Sequence, residues 1–244
     1  MIQCLLDAVA VMRGDFQDKF GTPRQPGLVP SARGRVVLLP PYDQPAAVAG
    51  LEQYSHLWLL FWCHANRSED VRLTVRPPRL GGNRRLGVFA TRTPYRPNPI
   101  GLSLVRFRGV AVERGEMYLK VEGADIVDGT PILDIKPYLP YADQVAGAQA
   151  PEAFSASPPV QYRIIFSPEA AVELQRHPDG ERLRCLIEEV LALDPRPAYH
   201  ADGTGRQYGM RLAGLEINWA LAGDAIQVIG LKPADDHAAT DSAR

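Results

Sequence analysis

Between Val71 and Val112 the chain carries no aspartate, glutamate or lysine, yet arginine stands at positions 72, 76, 79, 84, 85, 92, 96, 106 and 108. That positive charge has no local counterpart. Arginine suits phosphates and carboxylates because its planar fork donates hydrogen bonds in pairs and stacks on bases, which a lysine ammonium cannot do. A polyanion or a carboxylate-bearing ligand is the expected partner. Within the segment, Arg76-Pro77-Pro78-Arg79-Leu80-Gly81-Gly82-Asn83 and Thr91-Arg92-Thr93-Pro94-Tyr95-Arg96-Pro97-Asn98-Pro99 set charged and amide side chains between stiff prolines. Proline lowers the entropy cost of ordering a loop, so such loops suit preorganised binding. The competing reading is that acids elsewhere in the fold neutralise the arginines one by one, since the formal net charge is −1.

Two further stretches share this character. Phe20-Gly21-Thr22-Pro23-Arg24-Gln25-Pro26-Gly27 is a proline-framed loop that presents Arg24 and Gln25. Asp128-Gly129-Thr130-Pro131-Ile132-Leu133-Asp134-Ile135-Lys136-Pro137-Tyr138 gathers two carboxylates, a hydroxyl and a phenol around a tight turn and a brief strand. Strand alternation puts Asp134 and Lys136 on one face. A turn-capping Asp128 and a surface ion pair would account for the same residues without any chemistry.

The elements that must position these loops are mainly strands. Up to about Tyr141, turn residues recur every few positions and divide the β-prone runs Arg35–Leu39, His56–Cys63, Leu86–Ala90, Leu102–Phe107 and Met117–Val121, the pattern of a barrel or sandwich. Val36–Leu39 and Leu57–Trp62 are apolar throughout, as in strands covered on both faces, although a short helix also fits the second. A chain of 244 residues has room for a second, smaller unit. Residues 146–159, rich in Ala, Ser and Pro, read as the linker between a unit over 1–145 and one over 160–234. In the latter, Tyr162–Phe166 reads as a strand, and Ser167-Pro168-Glu169 supplies an N-cap, a first-turn proline and a carboxylate against the helix dipole. A second helix from Asp179 puts Leu183, Ile187, Val190 and Leu191 on one face, and the runs Gln207–Leu212, Leu215–Trp219 and Ala225–Leu231 read as strands. This smaller unit is α+β, and the polar residues 235–244 are expected to be a frayed tail.

Composition removes several classes. A near-neutral chain does not coat nucleic acid through its total charge, and nothing points to DNA. Cys4, Cys63 and Cys185 are odd in number and far apart, which gives neither a disulfide framework nor zinc-ligand spacing, so no metal is expected and a reducing cytoplasm is the simplest location. No run approaches a membrane span, and the apolar stretch Met1–Met12 lacks the basic flank of a signal peptide. Nucleophile elbow, P-loop, zinc-hydrolase helix and Rossmann glycine fingerprint are all missing from the sequence.

The strings KFGTPRQPGLVPSARG, LEQYSHLWLLFWCH, VRPPRLGGNRRLGVFATRTPYRPNPIGLSLV and DGTPILDIKPYLPYAD resemble the signature blocks of the TsaA/TrmO family of tRNA adenosine methyltransferases. The DPRPAYH segment resembles the family's smaller C-terminal domain. At the start of the chain, Ala8-Val9-Ala10-Val11-Met12-Arg13-Gly14-Asp15-Phe16 departs from the more usual Ile-Gly…Arg-Ser-Pro-Tyr. The resemblance implies an N-terminal β-barrel, not a Rossmann sheet, that binds S-adenosylmethionine and works as a homodimer. It further implies N6-methylation of threonylcarbamoyl-adenosine beside the anticodon of threonine tRNA. Carried over by matching blocks, the cofactor contacts are Pro23, Arg24, Gln25, His64, Ala65, Arg92, Leu102, Asp128, Gly129, Thr130 and Pro131. Arg84, Arg85 and Arg96 are then expected on RNA phosphates, and Asp134 with Tyr138 is the expected acceptor for the N–H of the target nitrogen, with Asp128 as the rival and proximity alone as the case without a base. The alternative from another class is a non-catalytic barrel that binds S-adenosylmethionine or RNA as a regulator.

Overall fold

The computed structural model describes residues 3–66, 73–77, 80, 84–156, 158, 160, 162–196 and 206–234. Arg72, Arg79, Asn83, the segment after Arg196 in DPRPAYH and the expected C-terminal tail lie outside the described residues. The strands are β1 Ala10–Gly14, β2 Arg33–Leu38, β3 His56–Trp62, β4 Thr74–Val75, β5 Leu86–Gly87, β6 Ile100–Glu113, β7 Glu116–Glu122, β8 Pro131–Pro137, β9 Arg163–Phe166, β10 Gln207–Leu212, β11 Leu215–Ala222 and β12 Ala225–Pro233. The helices are α1 Pro45–Val48, α2 Pro140–Asp143, α3 Glu152–Ser155, α4 Pro168–Arg176 and α5 Gly180–Ala192. The chain is mainly β, as its turn-punctuated runs predict. The run Leu57–Trp62 is a strand and not a helix.

Six strands pair in the order β1-β2-β7-β6-β3-β8, and β8 returns to pair with β1. Every pairing in this closed ring is antiparallel. Strand direction therefore alternates around it, and one geometric consequence governs the rest. The ends of β1, β3 and β7 and the beginnings of β2, β6 and β8 all fall on the same rim.

The interior of the ring is filled from one face of each strand. Leu57 and Leu59 of β3 are fully buried, with Val36, Val105, Leu119 and Ile132 beside them. Trp58 and Leu60 point outward and are only half covered, so the unbroken apolar run does not mean burial on both faces. On β8 the pairing steps from Leu60–Asp134 to Phe61–Ile132, which leaves Leu133 as an extra residue. This bulge shifts the phase of alternation. Ile132 and Ile135 both reach the core, while Asp134 and Lys136 share the outer face in a 2.7 Å ion pair. β6 carries a bulge of its own between Phe107 and Val110, where Gly109 sits at φ 112°, a conformation that side-chain-bearing residues rarely adopt.

In the C-terminal region β10-β11-β12-β9 form a sheet whose β9–β12 pairing is parallel, with α4 and α5 packed against it. The Ser167 hydroxyl caps α4 by accepting from the Ala170 N–H at 3.1 Å. The apolar face of α5 buries Leu183, Leu186, Ile187, Val190 and Leu191. This core is not confined to the C-terminal sequence. Phe16, Val29 and Ala32, all from the connection between β1 and β2, belong to it, and Phe16 bridges to Leu212 of β10. No described helix is long and apolar enough to cross a membrane.

Candidate functional site

Four connections meet at the rim defined by the alternation: residues 15–32 between β1 and β2, Cys63–Asn66 after β3, residues 91–99 before β6, and residues 123–130 between β7 and β8. Direct bonds join them. The Cys63 N–H donates to the Pro99 carbonyl at 2.8 Å, and the Lys19 ammonium donates to the Ala65 carbonyl. Arg92 Nη1 donates to Gln25 Oε1 at 2.7 Å. The Gly27 N–H donates to the Gly123 carbonyl at 2.8 Å, and the Gly123 N–H to the Ala32 carbonyl at 2.9 Å.

The residues expected to hold the cofactor all lie on or beside these connections. Arg24, Ala65 and Arg92 are exposed, and Pro23, Gln25, His64, Asp128, Gly129 and Pro131 are half-buried. Thr130 is buried, while Leu102, near the start of β6, leaves 47% of its surface open. Among the described residues Arg92 forms no ion pair within 4 Å; its direct hydrogen bond is to a neutral amide, and the carboxyl it acts on, Asp125, lies farther off. Asp128 is differently employed. Its Oδ1 accepts the Gly14 N–H at 2.9 Å, its Oδ2 lies 3.3 Å from Arg13 Nη1, and the Gly129 N–H donates to the Met12 carbonyl at 2.8 Å. The carboxylate thereby fastens the β7–β8 turn to the end of β1.

The residues expected on RNA divide. Arg84 and Arg85 are exposed. Arg96 spends Nη1 on the Thr91 carbonyl at 2.7 Å and lies over the Phe89 ring at 6.0 Å, contacts that hold its own loop in shape. The proposed acceptor pair is not assembled within one chain. Asp134 lies on the outer face in its ion pair with Lys136, and Tyr138 stands at the opposite rim, where its N–H donates to the His56 carbonyl at 3.0 Å and its ring lies 6.2 Å from that of Trp58. The strand between Pro131 and Tyr138 separates that rim from the cofactor loops by roughly 23 Å, at about 3.3 Å per residue.

One acid escaped the sequence reading. Asp125 Oδ1 is buried with no hydrogen-bond partner among the described residues, and so is Ser103 Oγ, from the fully buried face of β6. Burial pushes the Asp125 carboxyl up to about 6, against the pull of the nearby Ser103 hydroxyl and of the Arg92 charge. That hydroxyl lies beside the carboxyl without completing a hydrogen bond to it. Burial, with Asp125 second, likewise raises the Cys63 thiol. The signal was available in Gly123-Ala124-Asp125-Ile126-Val127, where an acid stands alone among small and apolar residues.

The chain matches the family of the tRNA-methyltransferase O N-terminal domain over residues 11–144 and that of the TrmO C-terminal domain over residues 159–234. It belongs to the TrmO family. Among relatives, the tRNA (adenine(37)-N6)-methyltransferase of Escherichia coli is 45% identical over 93% of this chain and 97% of its own length. A Pseudomonas aeruginosa protein with the provisional description S-adenosylmethionine-dependent methyltransferase RcsF is 51% identical over 86% of this chain and 90% of its own. The crystal structure of TrmO from Pseudomonas aeruginosa superposes with a TM-score of 0.75 at 42% identity, covering 96% of this chain and 99% of that one. The TrmO blocks and the rim loops are the same segments of this chain: each block contributes at least one of the four connections that meet there.

Proposed function

We propose that this chain is an S-adenosylmethionine-dependent methyltransferase that modifies N6 of adenosine 37 in tRNA, and that its preferred substrate carries the threonylcarbamoyl group, next to the anticodon of threonine tRNA. The observation that carries the reading is the gathering of Arg24, Gln25, His64, Arg92 and Asp128 on one rim by strand alternation alone. The six-stranded ring serves as a closed barrel whose mouth is the active site, and the chain acts in the cytoplasm as a homodimer.

The groups at the rim suit S-adenosylmethionine. Its carboxylate matches the uncompensated guanidinium of Arg92 or Arg24, its ammonium and ribose hydroxyls match the unpartnered Asp125 and Ser103, and its adenine face matches the half-open Leu102. When bound, the sulfonium supplies a methyl group on a strong leaving group, so this chain's residues have mainly to position the reactants. Arg92, steadied by Gln25, fixes the amino-acid end. Asp128 keeps the β7–β8 turn closed against β1 so that the Gly129–Pro131 backbone keeps one shape. Outside the mouth, exposed Arg84 and Arg85 meet anticodon-loop phosphates, and Phe89, 79% exposed, offers a plane for an unstacked base. Exposed Trp62 and Ile100 beside the mouth provide apolar surface for a second protomer. Asp134 and Tyr138 have no part in this reading of a single chain.

The test is mass spectrometry of nucleosides from tRNA incubated with the pure protein and S-adenosylmethionine, using tRNA with and without the threonylcarbamoyl group. One added methyl on the threonylcarbamoyl nucleoside is the expected result. Heat-stabilisation by S-adenosylmethionine with no methyl in any tRNA would instead mark a non-catalytic binder.

A further inference from the structure

The connection between β1 and β2 runs over residues 15–32, and α5 grips it at both feet. At the first foot, Asp15 Oδ2 accepts the Arg33 N–H at 2.7 Å and lies 2.6 Å from Arg182 Nη1, while the Asp15 carbonyl accepts the Ala213 N–H at 2.7 Å. Arg182 also meets Asp179 at 2.5 Å. At the second foot, Glu189 Oε2 accepts both the Ser31 N–H at 3.0 Å and the Ser31 hydroxyl at 2.6 Å. Between the feet, Phe16 and Val29 are buried in the C-terminal core and Phe20 packs against it. Gly21, at φ 91°, lies so close that a Cβ there would stand 3.2 Å from Met210 Sδ. What remains free of this grip is the stretch bearing Pro23, Arg24 and Gln25, which reaches Arg92 across the mouth.

We infer that the C-terminal domain is the bearing on which the cofactor loop is set: Arg182 and Glu189 of α5 are positioning residues that hold the loop over Asp15–Ala32 in the conformation that binds S-adenosylmethionine. Neither side chain touches the mouth. They act through Asp15 and Ser31, and through them on Gln25 and Arg92. This rests on the reading that the loop takes the cofactor. A loop that is competent only part of the time weakens apparent affinity by the competent fraction, while each bound complex still turns over.

The discriminating experiment is steady-state kinetics on the full chain, with tRNA saturating and S-adenosylmethionine varied. Glu189→Ala and Ser31→Ala are each expected to raise KM for S-adenosylmethionine, by roughly tenfold for Glu189→Ala, with kcat within about twofold of the parent. Glu189→Gln, whose amide oxygen can still accept from Ser31, should restore KM. A general loss of structure behaves otherwise, lowering kcat through the inactive fraction and leaving KM alone. Unchanged KM in both alanine variants, or a fall in kcat only, overturns the inference. Arg92→Ala in the same series separates the two ideas. If S-adenosylmethionine binding survives Arg92→Ala unaltered, the mouth is not the cofactor site and the inference falls with it; if binding is lost there but Glu189→Ala is silent, the bearing alone is disproved.

Discussion

Arg92 and Arg182 are the same side chain put to opposite uses. Arg182 is nearly enclosed, its side chain 15% exposed, with Asp15 at 2.6 Å and Asp179 at 2.5 Å. Arg92 is exposed at the mouth and leans on one neutral amide oxygen. A guanidinium with two carboxylates has no further demand for an anion, whereas one held only by an amide keeps its charge available for a ligand. In this fold, Arg182 is a satisfied charge in the seam between the ring and the C-terminal core, and Arg92 is a charge at the mouth with no ion-pair partner among the described residues, although Asp128 there is paired with Arg13.

That comparison predicts a sharp division of effects. Removing Arg182 leaves Asp15 buried without its counter-ion, and breaking one side of such a pair costs about 4 kcal/mol. Arg182→Ala should therefore show the largest loss of stability in chemical denaturation, and Asp15→Asn combined with it should add much less than its own single effect, because the two residues share one interaction. Additive losses would show that the pair is not the seam's main tie. Arg92→Ala should do the reverse: stability unchanged, and S-adenosylmethionine affinity down by about 30-fold in calorimetry, the equivalent of about 2 kcal/mol for a charge-assisted hydrogen bond that the bound ligand covers. A fall in melting temperature with affinity intact would erase the distinction drawn between the two arginines.

The sequence showed one of these roles better than the other. At the rim, the loops over 20–27 and 91–99 stand out as proline-framed strings and Asp128–Pro131 as a tight turn, whereas His64, Ala65 and Leu102 are named only through the family resemblance; strand alternation brings all of them to one end of the ring. The helix faces of α5 and the Ser167 cap were legible for the same local reason, since each is written within a few residues. The seam was not. Asp15 and Arg182 stand 167 positions apart, and nothing local marks Phe16, Val29 and Ala32 as parts of a core built mostly from residues beyond Tyr162. A boundary drawn from composition places the linker at residues 146–159, but packing recruits the β1–β2 connection to the other side of it. Asp134 shows a third kind of difficulty. Its pairing with Lys136 follows from alternation, but the bulge at Leu133 and the length of β8, which turn one residue outward and carry Tyr138 to the far rim, are settled only by register.

Two smaller effects sharpen the same contrast. The Asp125 carboxyl retains its proton up to about 6 in the folded chain and releases it near the ordinary 3.8 when unfolded. Across that interval the folded state binds more protons, so this group makes stability fall as pH rises from about 4 to 6 and adds no further change above it. Asp125→Asn removes the burden. The variant should exceed the parent by about 1.5 kcal/mol at pH 8, a value reduced for partial solvent screening, and the gap should close by pH 4. A pH-independent gap in denaturation curves would mean that packing, not desolvated charge, distinguishes this position. S-adenosylmethionine is a cation, and its binding should favour release of that proton, so affinity in the parent should also fall below pH 6 while Asp125→Asn shows no such slope.

The smallest effect belongs to two exposed arginines of the segment between β3 and β6. Arg84 and Arg85 are exposed beside β5, and a phosphate contact in water is worth little singly. Each alanine substitution should weaken tRNA binding only about threefold near physiological salt, but it should also lower the slope of log affinity against log salt by roughly 0.7 to 0.9, since one fewer counterion is released. The slope is the better reading because it counts contacts instead of weighing them. Arg182→Ala should leave that slope alone, since its charge is already spent on Asp15 and Asp179; if instead it fell as it does for Arg84→Ala, satisfied and unsatisfied arginines would both be facing RNA, and the seam would have to be redrawn as part of the tRNA surface.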